Sequence, residues 1–221
     1  MTNRIYRYVV RYDTGAAPNP FGGCCTLAIC KPAIRKTAQV GDWIVGLRSG
    51  RPDHVIYVMQ VARSISFETF WEEPIFSGKK PDACTSSDNI YMPSSINGLV
   101  QVPNRVHKQN DTTRDLSGQR VLVGSRYWYF GMNSPKLPPE LHHLIHRSQG
   151  HSVDKNRRNS DLRLLEGWLS QWQNGIYGAP IDAHRLLSTI PTNLGTRATV
   201  MLGSSLSAAP IAQPRMRSTC G

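Results

Sequence analysis

What most constrains this chain is a succession of short β-forming runs, set close together and broken by glycine and proline. Residues 5–12 (IYRYVVRY) are β-branched and aromatic, with Arg7 and Arg11 on one alternating face, the period-two signature of a strand. The loop that follows, DTGAAPNPFGG, is too rich in Gly, Pro and Asn for regular structure. CTLAICK at 25–31 reads as a second, buried strand, after which Pro32 opens a short helix through Ala38, since proline is tolerated in the first helical turn. WIVGLR gives a third strand, and HVIYVMQVARSI gives the longest. Strands this close, joined by short turns, predict a small curled β-sheet or a small barrel.

Ser66 is placed to cap a helix over SFETFWEE, whose Phe67, Phe70 and Trp71 recur at helical spacing. From Pro74 to Gln119 the sequence is irregular and polar, and RVLVGSRYWYFG at 120–131 then returns as a strand. In that strand Tyr127 and Tyr129 face one side and Trp128 the other. Beyond Pro135 the pattern turns helical: PPELHHLIH, then NSDLRLLEGWLSQWQNG, capped at Asn159 or Ser160 and stopped at Gly175. The expectation is one α+β domain over 1–191, β-rich to 135 and helical from 136, with a flexible tail over 192–221. No apolar run reaches the ~20 residues of a membrane span, and arginines interrupt the first apolar stretch, so a cytoplasmic setting without membrane partners is expected.

Lysine and arginine number 26 against 15 acidic residues, a net charge of +11. The excess is spread along the chain and favours phosphate-bearing partners, DNA or nucleotide first and RNA also open. Five cysteines, an odd number without a second paired cluster, read as free thiols rather than a zinc site or a disulfide framework. No dedicated metal site is expected, and the cofactor, if one is used, is left open.

Four groups of residues carry candidate chemistry. Around the Gly/Pro-rich loop, Arg11 and Lys31 are suited to phosphate, and Asp13 and Asn19 to a base edge or a water. In FSGKKPDA…SDNIY, Lys79 and Lys80 stand near Asp82, Asp88 and Asn89, where cations and acids together suit phosphate or general base chemistry. Trp43, Tyr57, Tyr91 and Tyr129 are candidate stacking rings for a base. His151, in HRSQGHS, is a candidate acid or base. A nucleophilic role for Cys30 or Cys25 requires a partner base that the sequence does not place. No P-loop, GxGxxG, GxSxG or HExxH pattern is present.

Taken in order, RYDTGAAPNPFGGCCTLAICKP, AQVGDWIVG, KKPDA, SDNIY, RYWYFG and QGH resemble the nucleotide-modification-associated domain 2 family, over roughly residues 5–180. The resemblance implies an association with phage and bacterial systems that modify DNA bases, and it brings no catalytic residue list. VGDWIVG followed by IYVMQVARSISFETFW is similar to the PUA-like barrels, including EVE and ASCH domains, which hold a base between barrel and helix.

Three functions stay open at this stage. One is a reader that captures a modified or flipped base, with Trp43, Tyr57 or Tyr91 stacking and Arg11, Lys31, Lys79 and Lys80 on the backbone. Another is an enzyme that modifies a nucleotide or base, with Asp13, Asp82 or Asp88 as base or metal ligand and His151 as acid. The third is a scaffold within a modification or defence complex.

Overall fold

The computed structural model describes residues 3–153 and 159–187. The chain runs β1 (Ile5–Val10), β2 (Cys25–Leu27), α1 (Pro32–Thr37), β3 (Trp43–Arg48), β4 (Arg51–Gln60), β5 (Arg63–Ile65), α2 (Phe67–Glu72), β6 (Tyr91–Ser94), β7 (Gly98–Gln101), α3 (Thr112–Leu116), β8 (Val121–Gly124), β9 (Arg126–Tyr129), β10 (Ser152–Val153), α4 (Asn159–Leu169) and β11 (Gly175–Ile176), with short 3-10 turns between. The tail expected from residue 192 lies outside the described residues.

Six strands form the main sheet in the order β10-β1-β3-β4-β9-β11, with β1 and β3 parallel and β3, β4 and β9 antiparallel. A second sheet, β2-β8-β5, and the hairpin β6-β7 complete the β-structure. The α+β class therefore holds. Among the described residues none of these sheets closes, so the PUA-like barrel does not form. The reason lies in the connections: β2 leaves the main sheet for the second one, and the main sheet ends on two-residue edge strands. A curl does exist. The chain bends between β4 and β5 and again at Ser125 between β8 and β9, so β4 pairs with β9 while β5 pairs with β8 across the two sheets.

Period-two alternation sorts the core. Tyr6, Tyr8, Ile44, Tyr57, Met59, Tyr127 and Tyr129 share one face of the main sheet with Leu27, Leu122 and Ile34. Ile5, Trp43, Val45, Val58 and Trp128 share the other, covered by Leu165 and Leu169 of α4 and by Leu141 and Leu144. Ser66 caps α2 as expected, its Oγ accepting from the Thr69 amide at 3.1 Å. Helix α4 ends at Leu169, well before Gly175, which begins an edge strand instead. The segment 139–144 is 3-10 rather than α-helix.

Beneath the Gly/Pro-rich loop lies a polar knot. The Lys79 ammonium is buried and donates to the carbonyls of Asn19, Phe21 and Cys24 and to Asn19 Oδ1, at 2.7–3.2 Å. Asn19 Nδ2 donates to Asp88 Oδ1 at 3.0 Å, and Thr26 Oγ1 to Asp88 Oδ2 at 2.5 Å. Burial pushes the Asp88 carboxyl up to about 6, with Lys79, Thr26 and Asn19 opposing. One ammonium thus gathers three loop carbonyls, of which that of Asn19 also accepts from the Thr26 amide of β2 at 2.8 Å. Lys79→Met removes the ammonium that serves the Phe21 and Cys24 carbonyls and leaves buried Asp88 without its neighbouring cation, and it is expected to destabilise the fold by about 3 kcal/mol. Urea unfolding checks this; a loss below about 1 kcal/mol would mean that water replaces the ammonium.

Candidate active site

The site begins where the second expected strand stops early. β2 ends at Leu27, and the chain turns through two consecutive left-handed residues, Cys30 at φ 59° and Lys31 at φ 40°. For residues with a Cβ this costs roughly 1–2 kcal/mol each, and such outliers persist only where neighbours over-determine them. Here they do. The Cys30 amide donates to Asp115 Oδ1 at 3.0 Å, and its carbonyl accepts from Arg35 Nε at 2.8 Å. Arg35, on α1 and fully buried, also donates to the carbonyls of Arg120, at 2.8 Å, and Asp115. Gly118 makes room for it, since a Cβ there would stand 2.4 Å from the guanidinium carbon.

Two further segments bring partners to the Cys30 sulfur. Asn104 Oδ1 accepts from the amides of Val106, at 2.9 Å, and His107, at 2.8 Å, an Asx turn that aims the His107 ring inward. Asp115 sits on α3. The result is a relay: Cys30 Sγ to His107 Nε2 at 3.3 Å, and His107 Nδ1 to Asp115 Oδ2 at 2.5 Å. Tyr91, at the start of β6, donates its hydroxyl to the same carboxylate oxygen at 2.9 Å. Asp115 is fully buried, and the His107 side chain is 11% exposed.

The electrostatics follow from this packing. Burial alone would lower the His107 imidazole, but hydrogen bonds to Asp115 and Cys30 outweigh it and push it up to about 10. Burial alone would raise the Asp115 carboxyl, yet His107, with the Cys30 amide and Tyr91, holds it below its ordinary value. A sulfur, an imidazole and a carboxylate in this order match the roles of nucleophile, acid/base and orienting group.

The sulfur and the imidazole both open onto a cavity of about 560 Å³. Arg11, Lys31, Arg114 and His151 share its lining, which includes no aspartate or glutamate. His151 stacks on Tyr6 with centroids 6.2 Å apart. Burial and then Lys31 push its imidazole down. Tyr8 forms part of the wall, with the Lys31 ammonium 4.5 Å from its ring centroid.

The residues singled out in the sequence divide into three sets. Arg11, Lys31 and His151 come together at this cavity. Asn19, Lys79, Asp88 and Asn89 gather in or beside the buried knot, Asn89 donating to the Phe70 carbonyl at 2.7 Å. Asp13 is also buried, accepting from the Tyr129 hydroxyl at 2.6 Å and from the Ile181 amide at 3.2 Å, so it ties down the segment near residue 181. Lys80 lies over Trp71, 4.2 Å from its ring centroid, and Asp82 is exposed; neither lines the cavity. Trp43, Tyr57, Tyr91 and Tyr129 are each at most 1% exposed and offer no face for stacking. Tyr91 instead reaches the site through Asp115.

His107 and Asp115 escaped sequence reasoning because they lie in the irregular stretch before Gln119. The sequence signal that could have found them is the cysteine–lysine–proline run that breaks a strand, with a histidine available elsewhere. Among the described residues no group of three or more His, Cys, Asp or Glu side chains could hold a metal ion, and no helix is long and apolar enough to cross a membrane.

The His107 ring nitrogen, 3.3 Å from the Cys30 sulfur, is placed to raise its reactivity toward an alkylating agent. At pH 6.5, where His107 is protonated, iodoacetamide is expected to alkylate Cys30 at least about tenfold faster in the wild type than in His107→Ala. Peptide mass spectrometry reads the rates, with Cys84 as the internal reference; equal rates at pH 6.5 would disconnect the two side chains.

The family model described as nucleotide modification associated domain 2 matches residues 2–186. Comparison with curated proteins and with solved structures gave no match.

Proposed function

The chain belongs to the nucleotide modification associated domain 2 family, and from that premise we propose that it is an enzyme of nucleotide modification acting through a covalent bond to Cys30. The observation that carries this reading is the relay from Cys30 through His107 to Asp115, open to a cavity at the sulfur and buried at the carboxylate. A buried Asp–His pair has no need of a cysteine for stability. The strained backbone at Cys30, held at both its amide and its carbonyl, fixes where the sulfur points.

The chemistry runs in two halves. The Cys30 sulfur attacks an electrophilic carbon of the substrate, forming an S–C bond as the bond to the leaving group breaks. His107, protonated at rest, gives its Nε2 proton to that leaving group. In the second half His107 takes a proton from the incoming water or acceptor, whose attack breaks the S–C bond and regenerates the sulfur. Asp115 keeps Nδ1 as the donor toward itself and stabilises the imidazolium, and Tyr91 and the Cys30 amide hold Asp115. His151, its imidazole pushed down by burial and Lys31, is left as a hydrogen-bonding wall group rather than the principal acid.

The reader reading loses its stacking platform, because its rings lie in the core. It keeps the positive charge, which both functions share.

Cys30→Ala is expected to abolish product formation, and Asp115→Asn to lower it about 10²–10⁴-fold, since it costs the correct tautomer and orientation of His107. Mass spectrometry of nucleotides and digested nucleic acid from cells making wild-type or variant protein provides the measurement. Undiminished product with Cys30→Ala would remove the cysteine from the chemistry and return the reader to the front.

A further inference from the structure

The cavity lining carries several basic side chains and no carboxylate. Arg11 and Lys31 come from the end of β1 and the turn after β2, and Arg114 comes from α3, one residue before Asp115. Lys31 is half-buried, and its ammonium donates to the Gly150 carbonyl at 3.3 Å, a bond that leaves two of its three protons unused. Among the described residues neither Lys31 nor Arg11 forms an ion pair with a carboxylate. Arg114 does share its charge with Asp111, at 3.0 Å, but Asp111 is not part of the lining.

This arrangement favours an anionic occupant. A half-buried ammonium, with no carboxylate partner among the described residues, shares the concave space with the exposed Arg11 and Arg114 and with His107, and their charges add to one positive field. The field reaches further round the wall. Burial, followed by Arg7, Lys31 and His151, pushes the His146 imidazole down, and burial pushes the Lys31 ammonium down. At about 560 Å³ the space matches a small-molecule site and holds one nucleotide rather than a length of duplex.

We propose that Lys31, Arg11 and Arg114 form a subsite for the phosphate monoester of a nucleotide, which seats the substrate with its reacting carbon against the Cys30 sulfur. Guanidinium groups suit a phosphate through paired hydrogen bonds, and the Lys31 ammonium adds a point charge beside the nucleophile. His151 supplies hydrogen-bonding wall for the remainder of the nucleotide. This inference rests on the covalent role of Cys30, and it adds the class of substrate and the end by which it is gripped.

Protection of Cys30 from iodoacetamide tests it on the full chain. The probes are nucleoside monophosphates, the matching nucleosides, inorganic phosphate and a 5′-phosphorylated single-stranded oligonucleotide with its unphosphorylated counterpart. The expected result is that phosphorylated probes slow alkylation at concentrations at least tenfold below their unphosphorylated partners. Lys31→Met should weaken this protection at least tenfold while Cys84 alkylation stays unchanged. Protection by free monophosphates identifies the small-molecule source of the phosphate, and protection by the oligonucleotide alone identifies a strand terminus; both support the subsite. Equal protection by nucleoside and nucleotide, no protection by any probe, or protection unaffected by Lys31→Met would each overturn it. His107→Ala keeps the two failures apart. If alkylation depends on His107 yet no phosphate protects, the subsite falls and the nucleophile stands; if alkylation ignores His107, the covalent reading itself has failed.

Discussion

A single buried guanidinium organises the part of this molecule that does chemistry. Arg35 carries a full charge at 0% exposure and spends it on backbone oxygens, the carbonyls of Cys30, Arg120 and Asp115. Those three carbonyls belong to separate stretches: the turn after β2, the end of α3 and the entry to β8. The Asp115 carbonyl also accepts from the Gly118 amide, at 3.2 Å, at the C-terminal end of α3. Burial pushes the guanidinium down to about 10, with Asp115, Cys30 and Tyr91 opposing, so it stays charged near neutrality. The guanidinium suits this because its donors spread in a rigid plane and reach acceptors in fixed, different directions. The glycine at 118 is the matching concession, since any side chain there would occupy the guanidinium's place.

From that staple the geometry of the relay follows. With its carbonyl held by Arg35 and its amide by Asp115, Cys30 has no freedom to relax from the left-handed conformation. Asp115 is itself fixed at both carboxylate oxygens, by the Cys30 amide on one and by His107 and Tyr91 on the other. The carboxylate therefore orients two members of the relay at once, the imidazole through its ring and the nucleophile through its backbone. This coupling ties the stability of the 28–31 turn to the order of the 104–116 segment, although they stand far apart in sequence.

The sequence made the scaffold legible and left the site hidden, for identifiable reasons. β1, β3 and β4 carry strong period-two patterns, and the Ser66 cap and the Pro32 helix have local signatures, so these were readable. The apolar run CTLAIC was also readable, but only as a strand; nothing local says that Cys30 and Lys31 adopt positive φ, because the cause is a pair of bonds to Asp115 and Arg35, the first of them 85 residues away along the chain. The edge strands β10 and β11 have two residues each and hence no period. Lys79, Asn19 and Asp88 read as a phosphate-binding group because cations, amides and acids in loops look alike whether they meet a ligand or one another. The aromatic residues were ambiguous in the same way, and burial decided for the core. Arg11, Lys31 and His151 were selected on charge and loop position, and these are the ones that share a cavity with Cys30.

The charges around the sulfur fall in two places. Inside, Arg35 and His107 both bond to Asp115, at its carbonyl and its carboxylate, and the Cys30 sulfur stands 3.3 Å from His107 Nε2. Interior clusters tolerate imbalance poorly, because each unpaired charge has lost its water without gaining a partner. The cations without a carboxylate partner among the described residues, Arg11 and Lys31, stand on the cavity side, where an incoming anion rather than a protein side chain can meet them. The inner charges thus hold the relay in place, and those at the wall are left for whatever the nucleophile is to attack.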